Sequence, residues 1–269
     1  DGMIIKFDTE GAVEWARSLG ESDTEKITSV TATSDGGYMV GGYFESDSIQ
    51  VGDHILTNSG ENDGMIIKYS AEGEVEWTRS VGESDYESIE SVAETSDGEY
   101  IAGGRFSSRS IQIGDYTLKN SAEEDGMIIK FEEKELVNVD VTKAEGIGGS
   151  SDDEITSVVA TSDGGYIAGG YFTSSEIQVG DYTLDSNGGR DGMIIKYSRE
   201  GEVEWARSVG GSGYDYIESE ASTSDGGYIA GGYFYSDEIK VGDYTLTKNG
   251  SCDGMIIKYS REGEVEWAR

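Results

Sequence analysis

Asp63-Gly64-Met65-Ile66-Ile67-Lys68-Tyr69, followed six residues on by Val75-Glu76-Trp77, decides how this chain folds. Asp-Gly-Met-Ile-Ile-Lys opens at Asp1, Asp63, Asp125, Asp191 and Asp253, with spacings of 62, 62, 66 and 62 residues. The segments between copies recur as well. Repetition at a fixed period of this length marks a propeller, a solenoid or another array in which each unit needs its neighbours to bury a core.

Working outward from that stretch, each unit reads as four strands. Ser88 to Glu94 is a short strand with Ile89 and Val92 as its apolar residues. The turn Thr95-Ser96-Asp97-Gly98 follows, with residues that suit a tight reversal. Tyr100 to Phe106 is almost continuously apolar, as a strand covered on both faces should be, and its glycines imply a bend or a close backbone approach. A hairpin at Ile111 to Leu118, turning at Gly114-Asp115, precedes the Met-Ile-Ile-Lys strand. The last strand alternates, with Val75 and Trp77 on one side and Glu74, Glu76 and Thr78 on the other, the pattern of a half-exposed edge.

The tryptophan is expected to pin the rim of its own sheet, its burial being worth roughly 2–3 kcal/mol. It recurs as Trp15, Trp205 and Trp267, with Val139 expected in its place in the third copy and four extra residues between there and Gly148. No segment carries a 3.6-residue apolar period over helical length, so almost no helix is expected. The fold class is therefore all-β: a β-propeller of four-stranded antiparallel blades, with repeats at about 18–79, 80–141, 142–207 and 208–269.

The inner strand pair occurs four times and the outer pair five times, which leaves a surplus outer hairpin at 1–17 or 253–269. Three outcomes are open: an incomplete fifth blade, a four-bladed ring with a loose hairpin, or an overhang that completes a neighbouring molecule. An unpaired edge invites another strand, and a head-to-tail contact that does not close makes a filament. The chain starts and stops in mid-repeat, as a piece of something longer would.

Composition limits the chemistry. Fifty-four Asp and Glu against 20 Lys and Arg give a net charge of −34, which repels nucleic acid and anionic lipid. No run of 18 apolar residues offers a helical membrane span. The single Cys252 excludes an internal disulfide. His54, the one histidine, stands where other copies have Tyr116, Tyr182 and Tyr244, and lacks partners for zinc or triad chemistry. The acids repeat with the units, whereas a catalytic pair is normally singular.

The loop acids Asp23, Asp85, Asp153 and Asp215 recur before the first strand and are the candidate Ca²⁺ ligands, oxygen donors on loops being suited to that ion. No Asp-x-Asp-x-Asp-Gly loop accompanies them, so a solvated loop is the plainer reading. Arg105 breaks a column of Tyr43, Tyr171 and Tyr233 and is expected to pair with nearby carboxylates.

The order Asp-Gly-Met-Ile-Ile-Lys-Tyr, Gly-x-Val-x-Trp, then Ser-Asp-Gly-Gly-Tyr-Ile-Ala-Gly-Gly-Tyr-Phe resembles the bacterial and archaeal SBBP-type β-propeller repeats over the whole chain. Met65 and Met193 stand where that family often has Phe, and Gly-Gly-Tyr replaces Gly-Asn-x-Tyr. The resemblance implies an extracellular or cell-surface scaffold and transfers no catalytic residue.

The function expected is a non-catalytic structural or adhesive module, with no required cofactor, whose partners are other protein chains, above all copies of itself joined through the unpaired hairpin. The alternative is a lectin-like or Ca²⁺-dependent ligand-binding propeller, with carbohydrate offered to Tyr116, Tyr182 and Tyr244 or to the loop tyrosines Tyr86 and Tyr214.

Overall fold

In the computed structural model, which describes residues 1–135 and 138–269, the described residues form 26 strands and no helix. A hairpin of β1 (Gly2–Phe7) and β2 (Val13–Leu19) comes first. Blade 1 follows with β3 (Glu25–Ala32), β4 (Tyr38–Phe44), the accessory hairpin β5 (Ser48–Val51) and β6 (His54–Thr57), then β7 (Asp63–Tyr69) and β8 (Val75–Val81). Blade 2 repeats this as β9 (Glu87–Glu94), β10 (Tyr100–Phe106), β11 (Ser110–Ile113), β12 (Tyr116–Lys119), β13 (Asp125–Glu135) and β14 (Asn138–Ile147). Blade 3 has β15 (Asp153–Ala160), β16 (Tyr166–Phe172), β17 (Glu176–Val179), β18 (Tyr182–Asp185), β19 (Asp191–Tyr197) and β20 (Val203–Val209). Blade 4 has β21 (Asp215–Ser222), β22 (Tyr228–Phe234), β23 (Glu238–Val241), β24 (Tyr244–Thr247), β25 (Asp253–Tyr259) and β26 (Val265–Ala268).

Each blade is a four-stranded antiparallel sheet whose order, as in β3-β4-β7-β8, follows the chain, with the accessory hairpin as a separate two-stranded sheet. This is the propeller-like all-β architecture that the repeat implies. The local chemistry is equally regular. In blade 2, Gly98 has φ +85° and donates to the Thr95 carbonyl, closing the reversal that Asp97-Gly98 suggests. Gly114, at φ +58° and followed by a residue of negative φ, gives the accessory hairpin the φ pattern of a type II′ turn.

The glycine pair in each inner strand has two distinct roles. The register slips by one residue opposite Gly103 and Gly104, a β-bulge. A Cβ on Gly104 would lie 2.0 Å from the Ser88 carbonyl oxygen, so that position admits no side chain. A Cβ on Gly103 would instead lie 2.7 Å from Ile155 Cγ2 and 2.7 Å from Val158 Cγ1, both on the next blade. Gly103 is thus half of a socket and Gly126, 3.1 Å from Ile155 Cγ1, is the other half. Gly41 with Gly64 receives Ile89 and Val92 in the same way, and Gly169 with Gly192 receives Ile217 and Glu220. The apolar cores accordingly straddle blade boundaries: Met39, Ile66 and Trp77 of blade 1 cluster with Ile89, Val92 and Tyr100 of blade 2.

The tryptophans correct the expectation placed on them. Trp77 packs against Tyr100 and Phe131 of the following blade, with ring centroids 6.0 and 6.1 Å away, and Trp205 packs against Tyr228 and Tyr259 at 5.9 Å each. They pin one blade to the next rather than the rim of their own. The reason is that the outer strand leans over the turn glycine of its neighbour: Trp15 covers Gly73 and Trp205 covers Gly263.

Val139 is not the counterpart of Trp77. Lys68 pairs with Trp77 and Lys130 with Lys143, so Lys143 occupies that place and covers Gly201. The four extra residues lie in the β13–β14 hairpin, before Val141, and not between Val139 and Gly148. With no indole there, Tyr166 and Tyr197 stack directly, 4.6 Å apart.

The lysine of the repeated signature is buried. Lys68 reaches Asp35 at 2.7 Å and Glu76 at 2.8 Å, and Lys196 reaches Asp163 and Glu204 at 3.3 and 3.2 Å. Burial alone would raise the Asp35 carboxyl; hydrogen bonds from Lys68 and Thr33 outweigh it and hold the group at about 2.

Candidate functional site

Two regions stand out: the upper ends of the blade boundaries, and the half-blade β1–β2. At the upper ends the four sequence candidates for a cation fall on two different positions. Asp153 and Asp215 pair with Phe172 and Phe234, and the residues in the same register in blades 1 and 2 are Glu25 and Glu87. Asp23 and Asp85 lie two residues earlier, exposed, each accepting a hydrogen bond from the preceding serine hydroxyl at 3.0 Å. The shared acidity of the loops concealed this two-residue offset.

Asp215 is fully buried and accepts from the amides of Gly211, Tyr235 and Ser236 and from the Ser236 hydroxyl. Asp153 does the same with Gly149, Thr173 and Ser174. These carboxylates close loops, and their lone pairs are already occupied by N–H and O–H donors. Among the described residues no three His, Cys, Asp or Glu side chains are arranged to hold a metal ion.

Facing them is the aspartate that opens each signature. Asp63 is 1% exposed, one of its oxygens has no partner, and burial followed by the charges of Glu87 and Glu83 raises it to about 6, against the pull of the Ser59 amide. Asp125 and Asp191 repeat the arrangement, each raised chiefly by burial. A Cβ on Gly82 would strike Asp63 Oδ1 at 2.3 Å and Glu87 Oε2 at 2.9 Å, so the pair sits where only glycine leaves room.

Arg105 does pair with carboxylates, as its place in the sequence suggests: Glu90 at 3.7 Å, Glu124 at 3.5 Å and Glu154 at 3.4 Å. With Tyr43 and Tyr86 it lines a hollow of about 370 Å³ between blades 1 and 2. At the boundary of blades 3 and 4, Arg190 lies 4.2 Å from the Tyr171 ring and 5.4 Å from that of Tyr216.

The outer-hairpin tyrosines are committed elsewhere. Tyr116, Tyr182 and Tyr244 donate to the carbonyls of Thr142, Glu204 and Glu266, tying each accessory hairpin to its outer strand. His54 replaces them in blade 1 and is half-buried. Tyr86 and Tyr214 are each 56% exposed beside the upper boundaries.

The half-blade is the least finished part of the molecule. Among the described residues β1 pairs with β2 alone, and its other edge has no strand partner there. Met3, Ile5 and Phe7 are 72%, 39% and 55% exposed, whereas their counterparts Met65, Ile67 and Tyr69 are 0%, 0% and 1% exposed.

No family model matches the chain. It is 21% identical over 274 residues to the regulatory protein FlaEY of Caulobacter vibrioides, covering 97% of this chain and 28% of the length of that protein. Among solved structures it is similar to a protein of unknown function from Bacteroides caccae, at 9% identity and TM-score 0.45, over 99% of this chain and 92% of that one. It is also similar to Sqt1 from Chaetomium thermophilum, at 10% identity and TM-score 0.36, over 93% and 73%.

Proposed function

We propose that the chain is a non-catalytic structural module of the SBBP-type propeller class, displayed outside the cell or on its surface, which joins copies of itself or blades of a larger polypeptide. The observation that carries this reading is the bare edge of β1 with its apolar face of Met3, Ile5 and Phe7. A strand edge that is regular, apolar on one face and uncharged apart from Lys6 accepts another strand. The charge of −34 keeps the rest of the surface soluble and leaves such an end as the place where chains meet.

Light scattering and small-angle X-ray scattering test this. The whole chain is expected to associate as its concentration rises, and a chain lacking residues 1–17 to remain a monomer. Equal mass and shape for the two would contradict the proposal.

The hollow lined by Tyr43, Tyr86 and Arg105 favours a second reading, binding of a carbohydrate that stacks on Tyr86 and hydrogen-bonds the acids around Arg105. Binding on a glycan array that Tyr86→Ala removes would support it.

A further inference from the structure

One upper boundary holds a gap where the other two are filled. The residue before the signature aspartate is Asn62, Glu124 and Arg190 at the boundaries of blades 1 and 2, 2 and 3, and 3 and 4. The second residue of the next blade's first strand is Ser88, Glu154 and Tyr216 in turn. At the middle boundary Arg105 reaches Glu124 at 3.5 Å and Glu154 at 3.4 Å, and charges close the space. At the boundary of blades 3 and 4 the Arg190 guanidinium lies against the Tyr171 and Tyr216 rings and donates to the Tyr216 hydroxyl at 3.1 Å. Between blades 1 and 2 the two shortest side chains of the set, Asn62 and Ser88, leave the hollow of about 370 Å³.

The walls of that hollow repeat those around Arg190, without the cation. Tyr43 pairs with Gly64 as Tyr171 pairs with Gly192, so the two tyrosines are equivalent. Asn62 bridges to Tyr86 as Arg190 bridges to Tyr214. Asn62 is 6% exposed; its Nδ2 donates to the Glu87 carbonyl at 3.0 Å, and its Oδ1 has no partner among the described residues. Glu45 and Glu124 add acids to the lining, and the one cation among the lining residues, Arg105, already faces Glu90, Glu124 and Glu154.

We infer that this hollow receives the guanidinium of an arginine side chain from another protein, which lies against Tyr43 and Tyr86 as Arg190 lies against Tyr171 and Tyr216. A guanidinium is planar, weakly hydrated and rich in N–H donors, so it can stack on a ring and serve a neutral amide oxygen and a carboxylate together; a lysine ammonium is compact and strongly hydrated. The net charge of −34 draws a basic segment toward the surface. A sugar would also stack on tyrosine, but it brings no charge to the acids. The inference takes the hollow of the second reading above, gives it a different occupant, and does not depend on association through β1.

The test titrates the whole chain with acetyl-arginine amide, followed by NMR at the Asn62 side-chain amide and the Tyr86 backbone. Shifts at both are expected, with acetyl-lysine amide binding about tenfold more weakly. Free arginine, whose carboxylate the acids repel, is expected to bind more weakly than the amide. No shift from the arginine amide, or equal binding of the arginine and lysine amides, would overturn the inference. Tighter binding of free arginine would overturn the protein partner, and shifts from methyl glucoside alone would return the hollow to carbohydrate. Asn62→Arg is expected to fill the hollow from within, as Arg190 fills its own boundary, and to abolish binding. Tyr86→Ala, at an exposed position, is expected to weaken binding about fivefold or more and needs no repacking. Binding that survives either substitution unchanged contradicts the inference.

Discussion

Glu220→Val is expected to stabilise the chain already near pH 4, where it relieves the burial of an unpaired carboxyl, and by about 3 kcal/mol more at pH 7 and about 5 kcal/mol more above pH 8. Glu220 is the residue in register with Val92 and Val158, pressed over Gly169 at the boundary of blades 3 and 4. It is 9% exposed, and neither carboxyl oxygen has a hydrogen-bond partner among the described residues. Burial raises it to about 8, against a weak pull from the Ser157 hydroxyl, which lies outside hydrogen-bonding geometry, and the charge of Glu218 raises it further. The folded chain therefore holds a proton that the unfolded chain releases near pH 4.5. Stability falls as pH rises from about 4.5 to about 8 and levels off beyond, opposite in sign to the usual salt-bridged carboxylate. Urea unfolding at pH 4, 7 and 9 reads this directly. Glu220→Gln should remove the slope between about pH 6 and pH 8, above the range of Asp63, while keeping the cost of a buried polar group, and a Gln variant that retained the slope in that window would assign it elsewhere.

The second large effect separates two adjacent glycines of one strand. Gly232→Ala is expected to cost about 3 kcal/mol or more, because its Cβ would lie 1.9 Å from the Tyr216 carbonyl oxygen and backbone cannot step aside as a side chain can. For a chain of this size that lowers the melting temperature by roughly 6–12 °C. Gly231→Ala, with its nearest neighbour at 3.6 Å, should cost less than about 1 kcal/mol. Thermal melts of the two variants check the contrast; equal losses would mean that the bulge is not what requires Gly232.

Much of this was legible before any coordinates. Period, turn chemistry and binary pattern agree in every unit, so strand number, order and hairpin positions follow from residues such as Gly98 and Gly114. What local pattern could not carry was direction across the stack. An alternating strand shows that Trp77 faces something apolar, but not that this is Tyr100 of the next blade. Lys143 does not resemble a tryptophan, so apolar Val139 stands out in its place; only the pairing with Lys130 reveals that the Lys143 alkyl stem fills the same position over Gly201. The burial of the signature lysine has no local sign, because one of its carboxylate partners, Asp35, lies in a turn 33 residues away, while the other, Glu76, stands on the adjacent strand. At the upper ends, composition alone made Asp85 and Asp153 look equivalent, although one is exposed and the other closes a loop.

The central claim is that each blade is held to the last by its first strand seated in a pair of glycines. A double-mutant cycle on Gly103 and Ile155 measures that contact most directly, since a Cβ at one lies 2.7 Å from Cγ2 of the other across the boundary of blades 2 and 3. Gly103→Ala and Ile155→Ala should each destabilise the chain, the first by forcing the blades apart and the second by leaving a cavity. Combined, the new methyl occupies the vacated space, and the double variant is expected to be more stable than the sum of the two losses by about 1 kcal/mol or more. Losses that simply add, within about 0.3 kcal/mol, would contradict the account, because residues 52 positions apart in the chain would then not be in contact.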